Sequence, residues 1–230
     1  MGNNTDKAAY GSPGKQAFDI VFNDEYIIVL NKVAKLLVHP SPKKEKYTLT
    51  SLLKDKIKAA VYPCHRLDRE TTGLIIYARD KGMQRKLMDE FRKGLVKKKY
   101  IAFVKGRMKK ARGSLSGYIL DADGVRFREK PKMARANYHV LKAFRHFSVI
   151  ELTPLTGRTN QLRIQLAKHG NPILGERRYA FRRDFKVDFK RLALHACFLS
   201  FIHPVSKQRV DLETDLAQDM REFLKKLIAH

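Results

Sequence analysis

The sequence predicts an α+β protein with a mixed, largely antiparallel central sheet and flanking helices, and three observations predict it. Short runs rich in β-branched and aromatic residues recur along the whole chain. Apolar residues at three- and four-residue spacing, the mark of a helix face, are confined to a few segments between those runs. Several strand-like runs follow one another with no helical segment between them, which a doubly wound parallel sheet does not permit.

Residues 1–17 contain Gly, Asn and Ser with Ser12-Pro13-Gly14, a composition too poor in apolar side chains to offset the entropy of ordering, and read as a flexible tail. Folded sequence is expected from residue 18. Asp19-Ile20-Val21-Phe22 and Tyr26-Ile27-Ile28-Val29-Leu30 read as two strands around the turn Asn23-Asp24-Glu25. Leu49, Leu52, Leu53 and Ile57 mark a helix that packs on a sheet. Residues 73–78 form an apolar run that fits a buried strand; Met83, Leu87 and Phe91 then repeat at helical spacing until Gly94 ends the helix. Residues 100–104, 148–152 and 198–202 read as further strands. Leu162 and Leu166 fall on one helix face that Thr159 or Asn160 would cap, and Leu216, Met220, Phe223, Leu224 and Leu227 on a closing amphipathic helix.

Charge narrows the function. The 230 residues carry a formal net charge of +25, far above the roughly 2 to 8 units usual for a small domain, and such a field draws polyanions. The expected partner is nucleic acid, with residues 97–99, 105–112, 126–132 and 177–191 as a phosphate track, although each run taken singly also fits a solvated face. Cys64 and Cys197 are too few and too far apart for a disulfide framework or a metal motif. No run approaches the length of a membrane span, so a protein of the cytoplasm is expected, without metal, nucleotide cofactor or membrane partner.

The segment His65-Arg66-Leu67-Asp68-Arg69-Glu70-Thr71-Thr72-Gly73-Leu74 precedes a buried strand, where a rigid sheet can present side chains. Arg66 and Arg69 flank Asp68, favouring its ionised form, so that it could act as a nucleophile or stabilise a cation. The same residues also fit a surface salt bridge worth little. Tyr100, in a strand-like run, fits a core aromatic equally well.

This segment resembles the His-Arg-Leu-Asp-x-x-Thr-Ser-Gly signature of RluA-type pseudouridine synthases, with Thr72 in place of the serine. His65 favours that family over its RsuA-type sister, which usually has Gly there. Lys98-Lys99-Tyr100 is similar to the family's Lys-x-Tyr, and residues 157–163, Gly-Arg-Thr-Asn-Gln-Leu-Arg, to its Gly-Arg-x-His-Gln-Leu-Arg. Residues 170–175 and Leu194-His195-Ala196 extend the resemblance.

The resemblance implies a pseudouridine-synthase catalytic fold over residues 18–230, with the active-site cleft in the middle and no S4-like domain. It implies isomerisation of uridine in structured RNA, stem-loops of 23S rRNA or tRNA, by a monomer. Asp68 takes the role of catalytic carboxylate, acting at C6 or C1′ or through a glycal-like intermediate. Tyr100 lies against the uracil, and Arg163 pairs with the carboxylate. His65, Arg66, Thr72, Arg158 and Asn160 are candidates for RNA contact and base flipping, with Arg66 entering the gap left by the extruded base. Two departures stand out: Asn160 replaces the family histidine, and Lys32-Val33-Ala34-Lys35 replaces Lys-Pro-x-Gly.

Overall fold

The two runs near the start pair as an antiparallel hairpin of β1 (Phe18–Asn23) and β2 (Ile27–Lys32). Asp24 closes its turn: Oδ1 accepts from the backbone N–H of Tyr26 at 2.8 Å and of Ile27 at 2.7 Å. The computed structural model describes residues 17–41, 45–120, 130–181 and 185–228. Of the expected tail only Ala17 is among them, and residues 126–129 and 182–184 of the basic runs lie outside them.

Helix α1 (Leu49–Ile57) starts at Thr48, which forms a capping box with Ser51, and buries Leu49 and Leu53. Its Thr50 hydroxyl lies 3.1 Å from the hydroxyl of Tyr77, tying the helix to the sheet. The short β3 (Tyr62–Pro63) and the fully buried β4 (Thr72–Ala78) pair antiparallel, and β4 also pairs with β2 in the register Val29↔Ile76. Gly73, the second residue of β4, has a φ of 108°, a conformation that L side chains rarely adopt. Asp80 caps helix α2 (Lys81–Lys93) by accepting from the N–H of Met83, and the helix ends at Gly94.

Strands β5 (Lys97–Lys105), β6 (Arg112–Ile119), β7 (Lys132–Ala143) and β8 (Phe147–Pro154) follow; β5–β8, β6–β7 and β7–β8 are all antiparallel. Helix α3 (Gln161–Lys168) comes next, then β9 (Leu194–Ile202), β10 (Arg209–Glu213) and helix α4 (Gln218–Ile228). The α+β class with largely antiparallel pairing is therefore present.

The chain divides into two units. The first holds the described residues up to Val96 together with Leu199–Ala217; its strands run in the order β1-β2-β4-β9, with β3 beside β4 and β10 beside β9. Its core joins Val29, Leu74, Ile76, Met83, Leu87 and Phe201, so the apolar face of α2 packs on β4. The second holds Lys97–Phe198 and the chain from Gln218, in the order β9-β5-β8-β7-β6. Four aromatic rings centre its core: Phe223 of α4 lies 5.7 Å from Phe103, 5.6 Å from Phe147 and 5.2 Å from Phe189.

Strands β3, β6, β7 and β10 were not expected. In β7 the buried alternation is carried by Ala134, Ala136 and Tyr138, and in β6 only Leu115 and Ile119 are buried among Gly and Ser. Alanine and glycine give almost no hydropathy contrast, so the two-residue period is present but faint.

Candidate active site

The signature loop, residues 65–71, joins β3 to β4 and is pinned along its length. The Cys64 N–H donates to the Ile76 carbonyl at 2.9 Å, and the Ile76 N–H donates to Nε2 of His65 at 3.1 Å. An accepting Nε2 carries no hydrogen, so the neutral ring holds its proton on Nδ1. The imidazole packs on Phe91 with ring centroids 4.6 Å apart. His65, expected at the RNA, thus bridges the loop, β4 and α2. Leu67 is buried beneath the loop, and the Thr71 N–H donates to the Asp68 carbonyl at 3.1 Å, closing the turn that carries the carboxylate.

Asp68 is half-buried, and Arg66 and Arg69 are exposed on either side. Burial and then the charge of Arg66 hold the His39 imidazole below its ordinary range. Thr72 is buried as the first residue of β4.

Lys32, at the end of β2, is 1% exposed. Its ammonium donates to the carbonyls of Val33 at 2.8 Å, Leu36 at 2.9 Å and Arg69 at 3.2 Å. Arg69 Nε donates in turn to the Lys35 carbonyl at 3.2 Å. Lys35 has a φ of 65°, so the turn keeps the left-handed conformation where the family pattern has Gly. The two departures from Lys-Pro-x-Gly therefore leave a turn that Lys32 ties to the loop of Asp68.

In the second unit, Lys98 and Tyr100 lie two apart on β5 and so share one sheet face. Burial pulls the Lys98 ammonium below its ordinary range, and a Cβ on Gly157 would lie 3.7 Å from its Nζ. Tyr100 is half-buried and pairs with Leu152 of β8. Lys99 faces the other way, with Nζ 3.2 Å from the Glu151 carboxylate.

Gln161 organises the Gly157-Arg158 turn. Its Oε1 accepts from the Thr156 hydroxyl at 2.7 Å and the Arg158 N–H at 3.0 Å, and its Nε2 donates to the Arg135 carbonyl of β7 at 2.9 Å. Arg158 is half-buried, with Nε 3.4 Å from the Met133 carbonyl. Asn160 stands at the N-cap of α3, but its side chain makes no cap bond, which corrects the expected capping. Its φ is 54°, in the left-handed region where both Asn and His are enriched. Oδ1 of Asn160 accepts instead from Nη1 of Arg163 at 2.8 Å.

Arg163 closes its fork on Glu176: Nε donates to Oε2 at 2.7 Å and Nη2 to Oε1 at 2.8 Å. Burial pushes the Glu176 carboxyl up, but the Arg163 guanidinium and the backbone N–H groups of Arg178 and Tyr179 more than reverse this, leaving it below the ordinary range. Sequence reasoning missed Glu176, Lys32 and Gln161. The available signals were an acid directly after Gly175 in an otherwise basic run, and a lysine closing an apolar strand. Among the described residues no three His, Cys, Asp or Glu side chains gather as a metal site.

A family model described as RNA pseudouridylate synthase matches residues 26–168, a span that includes Asp68, Tyr100 and Arg163. The chain is 35% identical over 207 residues to the dual-specificity RNA pseudouridine synthase RluA of Pasteurella multocida, covering 87% of this chain and 94% of that protein. It is 31% identical over 221 residues to the RNA pseudouridine synthase YlyB of Bacillus subtilis, covering 91% and 72%. Among solved structures, the human RNA pseudouridylate synthase domain containing 4 aligns with a TM-score of 0.75 at 27% identity, covering 91% of this chain and 92% of that one.

Proposed function

The chain belongs to the RNA pseudouridylate synthase family and is an RNA pseudouridine synthase of the RluA type, an isomerase; from that premise we propose that Asp68 is its catalytic carboxylate. The substrate is a specific uridine in a stem-loop of 23S rRNA or tRNA. The net charge of +25 supports a polyanionic partner and low-salt affinity. The observation that carries the reading is the loop geometry: Asp68 rides on a turn fixed from below by Leu67, from β4 through His65 and from β2 through Lys32. A half-buried carboxylate on so constrained a turn is preorganised for work on one bound nucleotide.

The reaction breaks the N1–C1′ bond, turns the uracil and joins C5 to C1′; C5 loses a proton and N1 gains one, so the composition is unchanged. Asp68 supports this at C6, at C1′ or by drawing off a proton toward a glycal. Tyr100 lies against the uracil and is the group proposed to take the C5 proton. Arg163 pairs with the carboxylate and orients it. The base must leave the stack, at a cost of a few kcal/mol, and Arg66 fills its place, with His65, Thr72, Arg158 and Asn160 shaping the contact surface. The enzyme works as a monomer in the cytoplasm, without nucleotide or metal.

Incubation with total rRNA and tRNA lacking pseudouridine, followed by carbodiimide labelling and reverse transcription, tests this reading, with Asp68→Asn as the control. New stops produced only by the parent enzyme establish the reaction and name the RNA. Stops that persist with Asp68→Asn remove the aspartate from the mechanism. Release of free uracil would identify a glycosylase instead, and tight binding with no stops a non-catalytic RNA-binding protein.

A further inference from the structure

Among the described residues Glu176 is the only acid in the buried core, and five donors converge on its two oxygens. Oε2 accepts from Nε of Arg163. Oε1 accepts from Nη2 of Arg163 and from the N–H groups of Arg177 at 3.0 Å, Arg178 at 2.8 Å and Tyr179 at 3.3 Å. The backbone around it is equally fixed. Gly175, at a φ of 78°, sits so close to the Arg191 carbonyl that any Cβ would collide with it. The Leu174 N–H donates to the Phe103 carbonyl of β5 at 2.8 Å, and the Ala193 N–H to the Leu174 carbonyl at 2.9 Å.

The guanidinium of Arg163 is held from further directions. Asn160 accepts from Nη1, and the Tyr179 ring lies 5.2 Å from Cζ. The exposures of the two partners differ in an informative way: the Glu176 side chain is 0% exposed, while that of Arg163 is 17% exposed. A purely structural ion pair gains little over a packed apolar pair, because both charges lose their hydration. A buried anchor under a guanidinium that reaches the surface instead fixes the direction of a planar ion, which a lysine could not match.

Resting on the reading in which Arg163 serves the catalytic carboxylate, we propose that Glu176 is a positioning residue that presets the Arg163 guanidinium, with Asn160 and Tyr179 completing its mount. The ion is then oriented before RNA arrives, and the cost of ordering it is met in folding rather than in the reaction.

The test measures pseudouridine formation under single and multiple turnover on the RNA named by the mapping above. Glu176→Gln keeps an Oε1 acceptor for the three backbone N–H groups but turns an amide donor toward Nε. It is expected to lower kcat by about 10- to 100-fold while KM changes by less than about threefold, as for a group that acts on the transition state. Glu176→Asp, which restores the charge, should recover part of the loss. The decisive variant is the double one: if Glu176 acts through Arg163, Glu176→Gln adds nothing to Arg163→Ala. Multiplied losses in the double variant, or a parental rate for Glu176→Gln beside an impaired Arg163→Ala, overturn the proposal. A parental rate for Arg163→Ala removes the underlying reading of Arg163 instead. Should Glu176→Gln not fold, Asn160→Gly serves. It suits the left-handed backbone and removes the Nη1 acceptor, so it should reduce kcat in the parent and not in Arg163→Ala, whereas a lost RNA contact would raise KM in both; no reduction of kcat in the parent overturns the mount.

Discussion

The Asp68 loop is fixed through its backbone, whereas the Arg163 guanidinium is fixed through its own side chain. Around Asp68 the pinning bonds end on main-chain atoms: the Arg69 carbonyl from Lys32, the Ile76 N–H to His65, the Thr71 N–H to the Asp68 carbonyl. Around Arg163 they end on the guanidinium itself, from Glu176 and Asn160. The difference teaches what each group is prepared for. In the catalytic role proposed for Asp68, a carboxylate gains from riding on a fixed backbone. In the role proposed for Arg163, a guanidinium that orients another charge gains from being clamped directly.

This contrast can be broken at several points. The largest effect is expected from Asp68→Asn, which leaves the loop's backbone bonds in place; turnover should fall by about 10³-fold or more while RNA affinity, read by filter binding, stays within a few-fold. Turnover near the parental value would mean that a fixed loop without the charge suffices. Next comes Lys32→Met, of similar length but without donors. It leaves the carbonyls of Val33, Leu36 and Arg69 without their shared donor, and should cost about 2–4 kcal/mol in the denaturant midpoint. A shift under about 0.5 kcal/mol would show that the loop is held elsewhere.

A smaller effect separates the second region by pH. Glu176 titrates below its ordinary value of 4.5, so its contribution is fully present above that value and is lost as pH falls through the lower folded value. Thermal unfolding followed downward from pH 6 should therefore be less steep in Glu176→Gln than in the parent; equal slopes would mean the pair contributes nothing to acid stability. The smallest effect is expected at Lys35→Gly. It relieves a left-handed side chain at a φ of 65° but loosens the unfolded chain, for a net gain of about 0.5 kcal/mol. A loss would show that the Lys35 side chain itself supports the turn.

What could be read in advance followed contrast in the sequence. β2 and β4 are continuous apolar runs, and α2 repeats Met83 and Leu87 at helical spacing, so all three were legible. β6 and β7 were not, because their buried faces are built from alanine, glycine and single large residues. In the candidate site the motif residues were legible by resemblance, but the groups that hold them were not. Asn160 looked like a cap and proved to be an acceptor for Arg163 in a left-handed backbone. His65, a candidate RNA contact, also accepts from the Ile76 N–H and packs on Phe91, which the motif alone did not show.

By itself the sequence determined the α+β class and the strong positive charge, since composition and periodicity are properties of the chain alone, and its resemblance to a family marked Asp68, Tyr100 and Arg163 as candidates. Only the tertiary structure decided that Lys32 and Glu176 are, with Arg191, among the charges taken into the interior. Whether a charge can be buried depends on donors and acceptors that the fold brings to it. Lys32 meets a carbonyl 37 residues away, and Glu176 meets a guanidinium 13 residues away, together with three backbone N–H groups turned toward it by the bend after Gly175.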